Sequence, residues 1–178
     1  MRKVLYIFGL LTDADVAWIS RTGTRRRVSN GEVLIREGEP IESVIVLLQG
    51  EFVVTAQAVG EIARLGVGEI VGEMSFVDSA PPSATVSAAS DGLALFLDKA
   101  AMTQKLEADE AFSSRFYRAL AIFLADRLRN TVRRMGYGTE DLGAKPIAKD
   151  ELDVGILDQV SMAGERFDRM LKMLVAER

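Results

Sequence analysis

The chain has 178 residues, 48% of them hydrophobic and 27% charged, with 22 Lys+Arg against 26 Asp+Glu for a formal net charge of −4, and it contains neither cysteine nor histidine. Without a thiol or an imidazole there is no Ser-His-Asp or Cys-His nucleophile, no thiolate or histidine metal site and no disulfide. The composition is that of one globular domain with a real core plus an appendage, and the mildly acidic balance gives no general affinity for nucleic-acid phosphates, which need a concentrated basic face.

Met1-Arg2-Lys3 followed by the apolar run Val4 to Leu11 has the charge order of a secretory signal. The run is short, however, and leads into Thr12-Asp13-Ala14-Asp15 with no small-residue cleavage site. Residues 1–23 are therefore expected to form an N-terminal helical segment packed on the domain, with Leu5, Ile7 and Leu10 inward. Thr12 is placed to cap a short helix ending near Gly23, with Asp15 at the third helical position completing a capping box and Val16, Trp18 and Ile19 supplying apolar side chains. No other stretch approaches the ~18 apolar residues of a spanning helix, so the chain is read as cytoplasmic, with no membrane partner.

From residue 24 to 98 the pattern changes to short apolar runs separated by Asn30-Gly31, Glu37-Gly38, Gln49-Gly50, Gly60, Gly66, Gly68, Gly72 and Asp91-Gly92. This is the spacing of an all-β sandwich or barrel. The β-branched runs Ser43 to Leu48 and Phe52 to Thr55 predict a tight hairpin of two central strands turning at Gln49-Gly50-Glu51. Ile62 to Leu65, Ala84 to Ala88 and Leu93 to Leu97 continue the series. The run Arg25-Arg26-Arg27 reads as the solvated face of a strand, and without an aromatic platform it makes no nucleic-acid site.

Over residues 99–135 the period becomes helical: Phe112, Phe116, Leu120, Phe123, Leu124, Leu128, Val132 and Met135 recur at three- and four-residue steps, predicting a long helix of roughly six turns. An apolar stripe that continues to the far end needs a cover beyond one small barrel, and a partner helix supplies it. The same helix carries Arg115, Arg118, Arg127, Arg129, Arg133 and Arg134 against Asp126 alone. Residues 136–150, with Gly136, Gly138, Gly143 and Pro146, read as a linker. Residues 151–178, with Leu152, Ile156, Val160, Phe167, Met170, Leu171 and Leu174, read as a final amphipathic helix. Residues 136–178 hold nine acids and six bases, so docking of this tail on the basic helix is an alternative to nucleic acid.

The most informative stretch runs from Ile70 to Val86: a strand ending at Gly72, the carboxylate Glu73, one short helical turn from Met74 to Val77, then Pro81-Pro82-Ser83-Ala84 and another strand. Gly72 lets the backbone approach a ligand closely, and the N–H groups at the start of the turn, with the hydroxyls of Ser75 and Ser83, predict an anion cradle. Glu73 stands beside it as an acceptor for a sugar hydroxyl. Two plainer readings stand next to these: Glu73 capping the dipole of its own short helix, and Ser83 bonding to local backbone in a turn.

Gly72-Glu73-Met74-Ser75-Phe76 and Pro81-Pro82-Ser83-Ala84-Thr85-Val86 resemble, in order and spacing, the phosphate-binding cassette of cyclic nucleotide-binding domains such as those of cAMP receptor protein and protein kinase A regulatory subunits. The resemblance extends through Gly31, Leu34, Gly38-Glu39, the strand before Gly50 and the Gly66 to Gly68 turn, over about residues 12–135. It implies a mainly β fold with flanking helices, a double-stranded β-helix (jelly-roll, cupin-like) barrel over 24–98 followed by a long C-terminal helix. It further implies ligand contacts from Gly72, Glu73, Met74, Ser75, Ser83 and Ala84, with Glu73 taking the ribose 2′-hydroxyl. Base contacts fall to Asn130 or Thr131, and the Phe112–Met135 helix makes a homodimer.

One position departs from the family pattern: Pro82 stands where the family has the arginine that neutralises the phosphate, and it offers neither charge nor N–H. Losing one partner of a buried charge pair costs roughly 2–5 kcal/mol, a factor of ~100 or more in affinity. The phosphate would then be held by the turn and Ser83 alone, or by a cation reaching in from Arg36, Arg64 or the long helix.

Two functions follow. One is a non-enzymatic regulatory module that takes cAMP, cGMP or a related anionic nucleotide and signals to a protein effector. The other is a ligand-free dimeric scaffold in which Pro82 records the loss of phosphate binding. A cupin-like metal enzyme needs histidine or a carboxylate cluster inside the barrel, so no catalytic residue, metal ligand or cofactor is assigned. The 43 residues after Met135 show no two-helix-plus-wing pattern, and no DNA-binding role is expected.

Overall fold

The computed structural model describes residues 9–78, 80–134 and Arg169. The expected inward positions of Leu5 and Ile7, and the linker and amphipathic helix over 136–178, lie outside the described residues apart from Arg169, whose guanidinium is 3.3 Å from Asp13 Oδ2.

Helix α1 (Asp13–Thr22) begins at a complete capping box. Thr12 Oγ1 accepts from the Asp15 N–H at 3.2 Å, and the Thr12 N–H donates back to Asp15 Oδ2 at 2.8 Å. The helix stops at Gly23, where a Cβ would stand 2.6 Å from Leu95 Cδ1. That contact presses the end of α1 onto the barrel.

Eight strands follow: β1 (Thr24–Val28), β2 (Val33–Ile35), β3 (Ser43–Gln49), β4 (Phe52–Ala56), β5 (Gly60–Leu65), β6 (Ile70–Val71), β7 (Thr85–Ala88) and β8 (Gly92–Asp98). They form two antiparallel four-stranded sheets, ordered β1-β8-β3-β6 and β2-β7-β4-β5. The mainly β class with flanking helices is therefore as the resemblance implies. The hairpin expected at Gln49-Gly50-Glu51 does not form. β3 pairs with β6 and β8, β4 pairs with β5 and β7, and the chain crosses from one sheet to the other at Gly50. Gly50 has φ 96°, and Gly92 lies so close behind it that a Cβ there would meet the Gln49 carbonyl oxygen at 2.2 Å. The glycine-rich turn thus marks a tight corner of the sandwich rather than a ladder.

The β3 sequence shows how the layers are specified. Its continuous run Val44-Ile45-Val46-Leu47-Leu48 is buried throughout because both faces are covered. Ile45 and Leu47 point between the sheets to join Val28, Ile35, Phe52, Leu65, Val71, Val86, Ala88 and Ala94. Val44, Val46 and Leu48 point the other way and pack with Ile70, Leu95 and Leu97 against the helices.

The helical layer comprises α1, α3 (Lys99–Ala108) and α4 (Glu110–Arg134), while α2 (Met74–Val77) is a single turn after β6. Asp98 caps α3 by accepting from the Ala101 N–H at 2.8 Å. Asp109 separates α3 from α4, takes the Phe112 N–H at 2.9 Å and pairs with Lys105 at 2.8 Å. The first half of α4 is anchored by Phe112, Ala119, Leu120 and Phe123, each at most 3% exposed. Beyond Leu124, which still packs against the core, the stripe leaves it, with Leu128 65% and Val132 39% exposed.

Candidate functional site

The site is built where β6 ends. Gly72 has φ 86°, and a Cβ there would stand 2.7 Å from Ile41 Cδ1 and 3.0 Å from the Ser43 carbonyl oxygen, so only glycine fits this turn. The turn drives Glu73 inward, leaving its side chain 3% exposed. Glu73 Oε1 there accepts a hydrogen bond from Arg127 Nη1, which reaches down from α4. The Arg127 guanidinium also lies 5.3 Å from the centre of the buried Phe123 ring, a cation–π geometry.

Burial pushes the Glu73 carboxyl above its usual value of 4.5. The Arg127 charge, the residue's own backbone N–H and the Arg127 hydrogen bond pull it back without cancelling the effect, and the charge of Glu69 adds to the rise. This carboxylate is held by one arginine against a strong desolvation penalty. The reading of Glu73 as a cap for its own helix is corrected: α2 has no side-chain cap hydrogen bond, because the carboxylate points toward α4. A single turn also carries little dipole to cap.

The return leg of the cassette is fixed by the segment that follows β2, the strand paired with β7. The Pro82 carbonyl accepts from the Gly38 N–H at 2.8 Å, and Thr85 Oγ1 accepts from the Glu37 N–H at 3.1 Å. Ser83 is exposed and Ala84 half-buried, Met74 is 52% exposed, and the side chain of Ser75 lies outside the described residues. Gly72, Glu73 and Met74 thus gather at one turn, with Ser83 and Ala84 on the segment that leads back into β7. Thr131 lies one helical turn beyond Arg127, is exposed, and donates its hydroxyl to the Arg127 carbonyl at 2.9 Å. Asn130 belongs to α4, and its side chain is outside the described residues.

Of the three sources of a replacement cation, two face away from the barrel interior. Arg64 alternates with the buried Leu65 on β5 and so turns outward, and Arg36, just past the end of β2, is exposed. Arg36 is 4.0 Å from Glu39, and Arg64 binds Glu51 at 3.0 Å and Glu61 at 2.9 Å. The long helix alone delivers a guanidinium to Glu73 among these three. Arg127 stands four residues after Phe123 and seven after Leu120. It is a charged residue in register with the apolar stripe, and that register is the signal by which the sequence marks it.

A second arginine of α4 clamps the N-terminal helix. Arg115 Nε and Nη2 bind Asp15 Oδ2 and Oδ1 at 2.8 and 3.0 Å. Burial pushes the Asp15 carboxyl up, but the Arg115 hydrogen bond, the Thr12 backbone and hydroxyl bonds and the Arg115 charge together outweigh it and hold the group below its usual 3.8. Among the described residues no three His, Cys, Asp or Glu side chains gather into a metal-binding cluster. No helix among them is long and apolar enough to cross a membrane.

Comparison with known proteins agrees with this architecture. Residues 25–109 match the family model of the cyclic nucleotide-binding domain. An uncharacterized NTE family protein of Mycobacterium tuberculosis is 31% identical over 137 residues, which are 75% of this chain and 24% of that protein, so the chain spans about a quarter of its length. A cyclic nucleotide-binding domain from Methylobacillus flagellatus KT superposes with a TM-score of 0.68 at 23% identity, covering 80% of this chain and 85% of that one. The catabolite activator protein of Thermus thermophilus gives 0.61 at 20% identity, covering 97% of this chain and 87% of its own.

Proposed function

We propose, from the premise that residues 25–109 belong to the cyclic nucleotide-binding domain family, that the chain is a non-enzymatic regulatory module whose Gly72–Ala84 cassette takes cAMP, cGMP or a related anionic nucleotide. Domains of this family are regulatory, non-catalytic modules. The observation that carries the reading is the turn at Gly72, which holds the Glu73 carboxylate beneath the cassette and ties it to α4. A sugar hydroxyl meeting Glu73 would compete for an acceptor that Arg127 also uses, so ligand capture acts directly on the helix after the barrel.

The rest of the reading follows from that coupling. The helix passes the signal on, and it forms a homodimer through the 112–135 segment, where Tyr117, Leu128 and Val132 present apolar side chains 46%, 65% and 39% exposed at helical spacing. The downstream partner is a protein effector, reached through residues 151–178 after the 136–150 linker. The module works in the cytoplasm, with neither nucleic acid nor membrane as its partner.

A thermal-shift screen with cAMP, cGMP and linear and cyclic dinucleotides tests the binding reading, followed by calorimetry on any hit and on Glu73→Ala. A ligand at 100 times its Kd adds about 2.7 kcal/mol of stability. The expected result is a saturable shift that the variant loses. A second reading, a dimeric scaffold with no nucleotide ligand, is favoured by Pro82 and by the arginine already seated on Glu73. Flat traces at millimolar nucleotide would select it.

A further inference from the structure

A nucleotide phosphate brought into a partly buried cassette needs a counter-charge, since an unpaired buried anion is strongly disfavoured. Pro82 supplies none, and Arg36 and Arg64 face outward and pair with Glu39, Glu51 and Glu61. We propose that Arg127 is the ligand's counter-ion in this chain: the guanidinium that lies on Glu73 turns to the anionic group of a bound nucleotide, so that the charge missing at position 82 is delivered by α4. The inference rests on the nucleotide-binding reading and adds to it the residue that receives the anion.

Two observations and the chemistry of the groups carry it. Arg127 shares the Glu73 carboxylate that the ribose hydroxyl would meet. In a 3′,5′-cyclic nucleotide that hydroxyl sits on the carbon next to the one bearing the phosphate ester, so a guanidinium on this carboxylate is beside the phosphate as well. The Arg127 side chain is 27% exposed, so it is not sealed in the core. Its planar fork of five N–H donors can bind a phosphate bidentately and still meet a carboxylate.

The location of this charge has a consequence. Arg115, twelve residues earlier and about 18 Å back along the helix, fixes the near half of α4 to Asp15. Phe112, Leu120 and Phe123 hold the same half in the core. A nucleotide that recruits Arg127 therefore acts on the half of α4 beyond Phe123, where Leu128 and Val132 stand out from the barrel. Anion capture and the placement of the apolar stripe become one event.

The test is calorimetric titration of the full chain with cAMP and with cGMP, on the native protein and on R127Q, R127K, P82R and P82R/R127Q, each first checked for cooperative thermal unfolding. The expected result is binding by the native chain, a loss of at least ~100-fold in R127Q, a loss of about 10-fold in R127K, and recovery to within about 10-fold of native in P82R/R127Q. R127Q binding as tightly as native, or more tightly because Glu73 is released, would overturn the assignment of Arg127 while leaving the nucleotide-binding reading intact. No binding by any form, P82R included, would overturn that reading and this inference with it. Should R127Q fail to fold, the comparison of R127K with the native chain decides on the same terms: a loss of about 10-fold supports the assignment, and binding as tight as native overturns it.

Discussion

Asp15 and Glu73 are both buried carboxylates bound by an arginine of α4, yet burial loses at the first and prevails at the second. Asp15 is a member of a capping box, takes the Thr12 N–H, and meets Arg115 through two nitrogens on two oxygens. Glu73 has Arg127 on one oxygen and the like charge of Glu69 nearby. At the first, the bonds made to the charged form outweigh burial. The second is charged at a cost, which protonation relieves and loss of its arginine would raise unless a proton or another partner takes its place. On the proposed reading, one helix carries a fixed clamp near its start and a responsive one about three turns later.

Removing the two arginines in turn breaks the comparison most directly. Stranding a buried charge costs roughly 3–5 kcal/mol in a sealed interior. For Arg115→Ala, where the arginine is 31% exposed and Asp15 keeps its Thr12 donors, we expect about 2–3 kcal/mol. Arg127→Ala should cost less, about 1 kcal/mol near neutral pH and less in acid, because Glu73 escapes by taking a proton. Chemical denaturation of both variants at two pH values checks the order. Equal losses at both sites would erase the distinction.

Gly72→Ala disturbs the responsive clamp through its backbone. At φ 86° and with Ile41 in the way, the added methyl should cost roughly 1–3 kcal/mol, and it should weaken nucleotide binding more than Arg115→Ala does. Thr12→Ala erodes the fixed clamp from its other side. It removes the cap on the Asp15 N–H and should cost about 1 kcal/mol. Native-state hydrogen exchange of α1 would report that loss locally.

The smallest effect is a sign. Because the folded-state pKa of Asp15 is depressed, its stabilisation is present above about 3.8 and is lost as pH falls through the folded value. Glu73 behaves oppositely: with a raised folded pKa, its stabilising contribution is present below about 4.5 and is lost as pH rises through the folded value. Asp15→Asn should therefore flatten the acid limb of the stability profile. Glu73→Gln should remove a decline on the rising limb. Denaturant midpoints across pH 2 to 8 would show whether the two slopes have opposite sign.

Features that depend on neighbours in sequence were legible in the chain. The Thr12–Asp15 box, the Gly72-Glu73 turn and the strand over Ser43 to Leu48 follow from spacing and residue type alone. Gln49-Gly50-Glu51 misled because a glycine turn between two apolar runs looks the same whether the strands pair or part. The close approach of Gly92 is what distinguishes the cases, and it is a contact across the fold. The clamps were hidden for the same reason, since Arg127 and Glu73 are 54 residues apart and Arg115 and Asp15 are 100 apart. Even so, an arginine in register with Leu120 and Phe123 is a local anomaly that points to a buried partner.

The most direct test of the responsive clamp is the carbon-13 shift of the Glu73 side-chain carboxyl, followed through a pH titration with and without cAMP. A midpoint above 4.5 that moves when cAMP is added is the result expected of a desolvated carboxylate sharing its arginine with a ligand. A midpoint at or below 4.5 that ignores cAMP would mean that Glu73 and Arg127 form a second fixed clamp, and that α4 carries no responsive element at this site.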